Sequence, residues 1–170
     1  MSEQKIENFI NDLLTGKARE NALDFIAHLR THEMLFERGG GYWADKFYWM
    51  VKHKDEYVCF ILIGDPGGKT GSRAWTVWSD DSGSDWFNRF PLDEITKKIA
   101  WENIDFCANC NGCKNPGGTR KTILGKSFDK VCITAMKFVS PDSEALECMK
   151  KLTEIRKFDI CNRQETSGDS

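Results

Sequence analysis

The chain has 170 residues, with 24 Lys and Arg against 26 Asp and Glu, a formal net charge of −2 and 40% apolar residues. That length suits one domain with a core of its own. The near-neutral balance argues against a general nucleic-acid binder, which needs an excess of Lys and Arg to neutralise phosphates, and against a polybasic membrane-surface protein.

The first segment reads as helix. Ile6, Phe9, Ile10, Leu13 and Leu14 recur at helical spacing, and Thr15-Gly16 breaks the run. A second helix follows, with Ala18, Ala22, Phe25, Ile26 and Leu29 on one face, fading by Glu37 into the Gly39-Gly40-Gly41 turn. The pattern then changes to strands. Tyr42 to Val51 alternates, with Trp43, Phe47, Trp49 and Val51 on one side. His53 to Glu56 is a polar turn, and Tyr57 to Ile63 is continuously apolar, as in a central strand covered on both faces. A Gly-rich loop from Gly64 to Gly71 leads to a third strand, Arg73 to Ser79, with Trp75 and Val77 opposite Ala74, Thr76 and Trp78.

Asp80 to Phe90 is irregular and carries Trp86. Pro91 suits the first turn of a third helix, with Asp93 and Glu94 favourable at its N-terminal dipole, and this helix is expected to end near Phe106. Val131 to Val139 reads as a strand. Ser140 and Pro141 read as the N-cap and first position of a last helix with Ala145, Met149, Leu152 and Ile155 inward. The expected fold is α+β, an antiparallel sheet of about four to five strands with N-terminal, central and C-terminal helices packed on it. Residues 1–161 are read as one domain and residues 162–170 as a disordered tail.

The opening Met1-Ser2-Glu3-Gln4-Lys5-Ile6 lacks the apolar core of a signal peptide, and no apolar run approaches the roughly 18 residues of a membrane-spanning helix. The seven cysteines are an odd number, which reads as reduced thiols in a cytoplasmic protein, available for metal or reactivity before disulfides. Oligomeric state has no signature here.

The element order, with Tyr48-Trp49-Met50-Val51, Tyr57 to Gly64, the run Met136-Lys137-Phe138-Val139-Ser140-Pro141-Asp142 and a closing helix with Leu146, Lys150, Lys151 and Leu152, resembles small bacterial α+β domains of the YdhG-like and YjbR-like kind. The resemblance covers roughly Phe25 to Lys157 and implies the fold. It carries no biochemical activity with it, and the cysteine cluster stands outside it.

Three constellations bear on chemistry. Cys107, Cys110 and Cys113 have C-x2-C-x2-C spacing, and Gly112, Gly117 and Gly118 permit a loop to curl around an ion. Structural zinc wants four ligands, and Cys132 is the best fourth candidate, ahead of Cys59 and Cys161. The iron–sulfur reading is weakened because Gly117 stands where a ferredoxin run has its fourth cysteine. The third reading is plain reduced thiols, among which a reactive or redox-sensing cysteine near Lys114, Arg120 and Lys121 stays open.

The second constellation is the loop ending Gly68-Lys69-Thr70. A phosphate-binding loop would need Gly at the position of Ile63 and a helix afterwards, so it reads as a hairpin loop. The third is aromatic. Among six tryptophans, Trp75 and Trp78 point to opposite faces of one strand, so both sheet faces are aromatic. One face is read as a pocket for a small apolar or cationic ligand, with Trp43, Trp49, Trp75, Trp78 and Trp86 as its candidate lining, against the alternative that these rings fill the core. His28 and His32 stand four apart on a helix but lack the Glu of an H-E-x-x-H site, and are read as rim residues.

No catalytic set stands out, so a non-enzymatic binding domain is the leading expectation. A thiol-based redox or metal-dependent protein and a protein-interaction module are the alternatives.

Overall fold

The computed structural model describes residues 5–40, 47–64, 74–82, 84–107 and 117–167, with side chains through residue 163. The apolar stripes of the first two segments form helices α1 (Ile6–Leu13) and α2 (Gly16–Thr31), with Ile6, Ile10, Phe25, Ile26 and Leu29 buried. Strands β1 (Leu35–Arg38), β2 (Tyr48–His53), β3 (Glu56–Ile63) and β4 (Trp75–Ser79) follow. A 3-10 turn at Trp86–Arg89 leads to α3 (Glu94–Glu102), β5 (Ile104–Phe106), β6 (Thr119–Ile123), β7 (Lys126–Val139) and α4 (Ser143–Ser167). The sheet has seven strands in the order β1-β2-β3-β4-β7-β5, with β6 also paired to β7 and every pairing antiparallel. The α+β class is as expected from the sequence, and the sheet is larger.

The added strands have physical reasons. Glu33 adopts a left-handed conformation (φ 62°) after α2, and Leu35–Arg38 then pair with β2 instead of continuing the helix. Thr119–Ile123 forms a hairpin with the first half of β7 through the Leu124-Gly125 turn, where both residues have positive φ. Pro91 falls outside α3. Asp93 is its cap, accepting from the Thr96 amide at 2.7 Å. Ser140 does not cap α4 either. It closes on Trp75 of β4, and Asp142 accepts from the Ala145 amide at 2.9 Å in its place. The helix runs past Asn162 to Ser167, where the sequence reading had placed a tail.

Alternation sorts the sheet into two faces. Trp49, Ile61, Val77 and Phe138 lie in one cross-strand row, and they pack with the buried residues of all four helices. Met50, Phe60, Trp78 and Lys137 form a row on the opposite face. The apolar cluster there (Tyr48, Phe60 and Leu62, with Met50, Tyr57 and Trp78) includes no helical residue among those described.

Two polar devices hold this arrangement. Arg156 of α4 is 2% exposed and donates from Nε to the Tyr57 carbonyl at 3.0 Å. Its other nitrogens face Asp80 at 3.6 Å and Asp159 at 3.4 Å. Asp159 is shared with Arg89 (2.9 Å) and Arg163 (3.1 Å), and Asp80 accepts from the Trp86 indole at 2.6 Å. The second device is a bulge in β7. Ala135 has φ 63°, and Ile104 pairs with Met136 while Phe106 pairs with Val131, so β7 carries extra residues there. The buried Ser79 hydroxyl bridges the bulge, donating to the Thr134 carbonyl and accepting from the Met136 amide at 3.1 Å.

Replacing Arg156 by Ala leaves buried carboxylates without their partner and is expected to cost about 3–5 kcal/mol in urea unfolding. Ser79→Ala is expected to cost about 1–3 kcal/mol in the same measurement, because it strips a buried amide of its acceptor. A loss below that range for Ser79→Ala would mean that the bulge does not need its bridge.

Candidate functional site

On the face that carries no described helix, a groove of about 290 Å³ opens between β2, β3 and β4 on one side and β5 and β7 on the other. Its floor is aromatic. The rings of Tyr48 and Phe60 lie nearly parallel at 6.0 Å and 10°, and Trp78 meets Tyr48 at 6.3 Å and 56°. Phe106 and Ile133, both exposed, form its rim.

The bulge at Ala135 supplies the far wall. A bulge shifts the alternation of a strand, so Cys132 and Thr134 before it and Lys137 after it all line the groove.

The polar groups are few and converge. Asp81 and Asp105 contribute carboxylates, and the Thr134 hydroxyl donates to Asp105. Loss of solvation raises the Asp81 carboxyl above the ordinary aspartate value, and the neighbouring Asp80 charge adds to it. Burial likewise raises the Tyr48 phenol, so it stays protonated at neutral pH. The Lys137 ammonium stands 5.6 Å from the Trp78 ring centre, within cation–π range.

None of three larger depressions combines aromatic rings with carboxylates. One, about 540 Å³, lies along Phe87–Leu92 and the Leu124-Gly125 turn, the second, about 490 Å³, lies between α3 and α4, and the third, about 350 Å³, lies between the end of α3 and Val139–Ala145. Several of their polar groups are already used within the fold: Arg89 by Asp85 and Asp159, Asn88 by Thr122 and Leu124, and Asp93 by Thr96 and Lys151.

Of the tryptophans taken from the sequence as pocket lining, Trp78 lies in the groove. Trp49, Trp75 and Trp86 do not, because their faces of the sheet and turn are the ones the helices cover. They are 3%, 1% and 1% exposed. Trp49 packs edge-on against Phe9, Trp75 packs near Phe25, and Trp86 holds Asp80. The Trp75 indole N–H has no hydrogen-bond partner among the described residues. Trp43 lies outside the described residues.

Among the groove residues that the sequence reading missed are Tyr48 and Phe60. Their signal was present in the alternation that sends Trp49 and Ile61 to the core and their neighbours to the other face.

Cys110 and Cys113 also lie outside the described residues, as does the Gly-rich loop from residue 65 to residue 73. The segment after that loop is β4, a strand where a phosphate-binding loop would need a helix. The Cys107 amide donates to the Lys130 carbonyl at 2.7 Å, which brings Cys107 to the stretch of β7 that holds Cys132. Gly118, just before β6 and against the same stretch, has φ +71°, and a Cβ there would stand 2.7 Å from the Lys130 carbonyl carbon. That close approach is a use of glycine the sequence suggested only as loop freedom.

Away from the groove, the Cys161 thiol lies 3.5 Å from Nε2 of the buried His53. Burial pushes the Cys59 thiol well up and the Cys148 thiol up to about 12.

Compared with protein-family models, with curated proteins and with solved structures, the chain matches none. No helix among the described residues is long and apolar enough to cross a membrane.

These environments rank the thiols. Under native, reducing conditions iodoacetamide is expected to modify the half-buried Cys107, Cys132 and Cys161 well before Cys59 and Cys148. Peptide mapping by mass spectrometry at successive times reads the order directly. Early labelling of Cys59 would contradict the core described above.

Proposed function

We propose that this chain is a binding domain whose ligand is a small organic cation with an apolar body, held in the groove of Tyr48, Phe60 and Trp78. The observation that carries this reading is the meeting of an aromatic floor with the Asp81 and Asp105 carboxylates on the sheet face without a described helix. Aromatic rings attract a cation through their faces, and the effect grows as water is excluded. The carboxylates complement the ligand charge, and Phe106 and Ile133 offer apolar contact to its body. Lys137 fills the cation position over Trp78 when no ligand is bound and moves aside for one.

A structural zinc on Cys107, Cys110, Cys113 and Cys132 would close one end of the same groove, since Cys132 lines it. In this reading the cysteines frame the pocket and perform no chemistry.

Phenyltrimethylammonium and its uncharged tert-butyl isostere test the proposal by calorimetric titration. The cation is expected to bind about 2- to 5-fold tighter than the isostere, the size of a partly exposed cation–π contact. Trp78→Ala should abolish the preference and Lys137→Met should increase it. Affinity should also rise as the pH climbs through the raised Asp81 range, because the carboxylate then gains its charge. Equal binding of the two probes, or a preference that survives Trp78→Ala, sinks the reading.

A further inference from the structure

Helices α2 and α4 meet along a seam that is polar at three successive levels. Asp24 meets Lys150 at 2.6 Å, His28 meets Thr153 at 3.4 Å and His32 meets Glu154 at 3.2 Å. The last two levels form one cluster. The two imidazoles, four residues apart with His32 at the C-cap of α2, have ring centres 4.5 Å apart. One ligand atom from each of His28, His32 and Glu154 lies within 4.8 Å of the others.

We propose that His28, His32 and Glu154 form a binding site for a divalent transition-metal ion of the zinc, cobalt or nickel type, joining α2 to α4.

The geometry supports this at the level of single distances. An ion about 2.0–2.2 Å from each of its ligands sets neighbouring donor atoms roughly 3.0–3.6 Å apart. The His32–Glu154 separation of 3.2 Å already has that value. All three atoms already lie within 4.8 Å of one another, so small side-chain rotations would bring them to that spacing.

The donor set selects the class of ion. Two imidazoles and a carboxylate suit zinc and its neighbours, whereas calcium and magnesium want oxygen alone. Three protein ligands leave at least one position for water. The surroundings are prepared as well. Thr153 Oγ1 braces the His28 ring, and the Lys150 ammonium, whose charge acts on His28, is engaged by Asp24 and by Glu147 at 3.2 Å.

The cluster is distinct from the aromatic groove, which draws on neither α2 nor α4. It is also distinct from the cysteines, and it stands whether or not the groove binds a cation.

Cobalt(II) added to the full, reduced chain tests the site, because its visible spectrum reports ligand type. Thiolate ligation gives intense sulfur-to-metal charge transfer, while nitrogen and oxygen ligation gives only weak ligand-field bands. The expected result is one cobalt with the second kind of spectrum, whose affinity falls at least about 10-fold in His32→Gln and in Glu154→Gln. Both substitutions fall on partly or fully exposed residues. A readout that needs no variant is proton NMR of the three histidines. Cobalt should shift and broaden the rings of His28 and His32 and spare His53. Cobalt held only through thiolates, nitrogen–oxygen binding unchanged in both variants, or a shift confined to His53 overturns the proposal.

Discussion

Arg156 carries its charge inside the protein, with its Nε on the Tyr57 carbonyl and its remaining nitrogens facing Asp80 and Asp159. An ion in that position costs several kcal/mol in lost hydration unless its partners are in place. The partners come from four parts of the chain. Tyr57 lies on β3, Asp80 follows β4, Asp159 lies on α4, and Trp86 of the 3-10 turn holds the far oxygen of Asp80. Arg89 and Arg163 complete the charge balance around Asp159. Sliding or rolling α4 on the sheet would strand a buried charge as well as break the packing of Leu146, Met149, Leu152 and Ile160.

The same network explains how the opposite face gains its character. The chain leaves β4 through Ser79, Asp80 and Asp81. Ser79 bridges the bulge in β7, Asp80 turns inward to Arg156 and Trp86, and Asp81 lines the groove. Three consecutive residues thus tie the sheet together, anchor the last helix and supply the groove with a carboxylate. Partial loss of solvation raises the Asp81 carboxyl, and the nearby Asp80 charge adds to it. A carboxylate that is costly to charge gains more from a bound cation than a fully hydrated one does.

How much of this was legible in the sequence depends on what each residue answers to. Ile10, Phe25, Ile26 and Leu29 are buried on one face of their elements, so periodicity placed them. The opposite directions of Trp75 and Trp78 were legible for the same reason. Thr119–Ile123 and the first residues of β7 were not, because Thr-Arg-Lys-Thr and Lys-Ser-Phe-Asp-Lys lie on a largely exposed hairpin, where backbone pairing makes the strand and side-chain polarity carries no pattern. Leu35–Arg38 was lost into the helix signal for a related reason, being a short edge strand with alternate side chains exposed. The tryptophans misled by their abundance. A large ring serves a core as well as a pocket, and only the placement of the helices separates Trp49, Trp75 and Trp86 from Trp78. Glu154 could not be assigned to His28 and His32 at all, since a helix–helix packing at long sequence separation brings them together.

Lys137 bears on what kind of cation the groove would favour under the proposed reading. Its ammonium already stands over Trp78. A ligand must therefore do better than a tethered amine that reaches the ring without losing translational freedom. A second primary amine has little advantage, because a compact ammonium gives up as much hydration as Lys137 does. A quaternary or guanidinium-like cation is more weakly hydrated, spreads its charge over a surface that fits the rings of Tyr48 and Phe60, and gives up less water on entering. Lys137, once displaced, regains its own hydration at the groove mouth. Under that reading the lysine would act as a threshold in the binding equilibrium, rejecting small hydrated amines and admitting bulky cations whose apolar surface reaches Phe106 and Ile133.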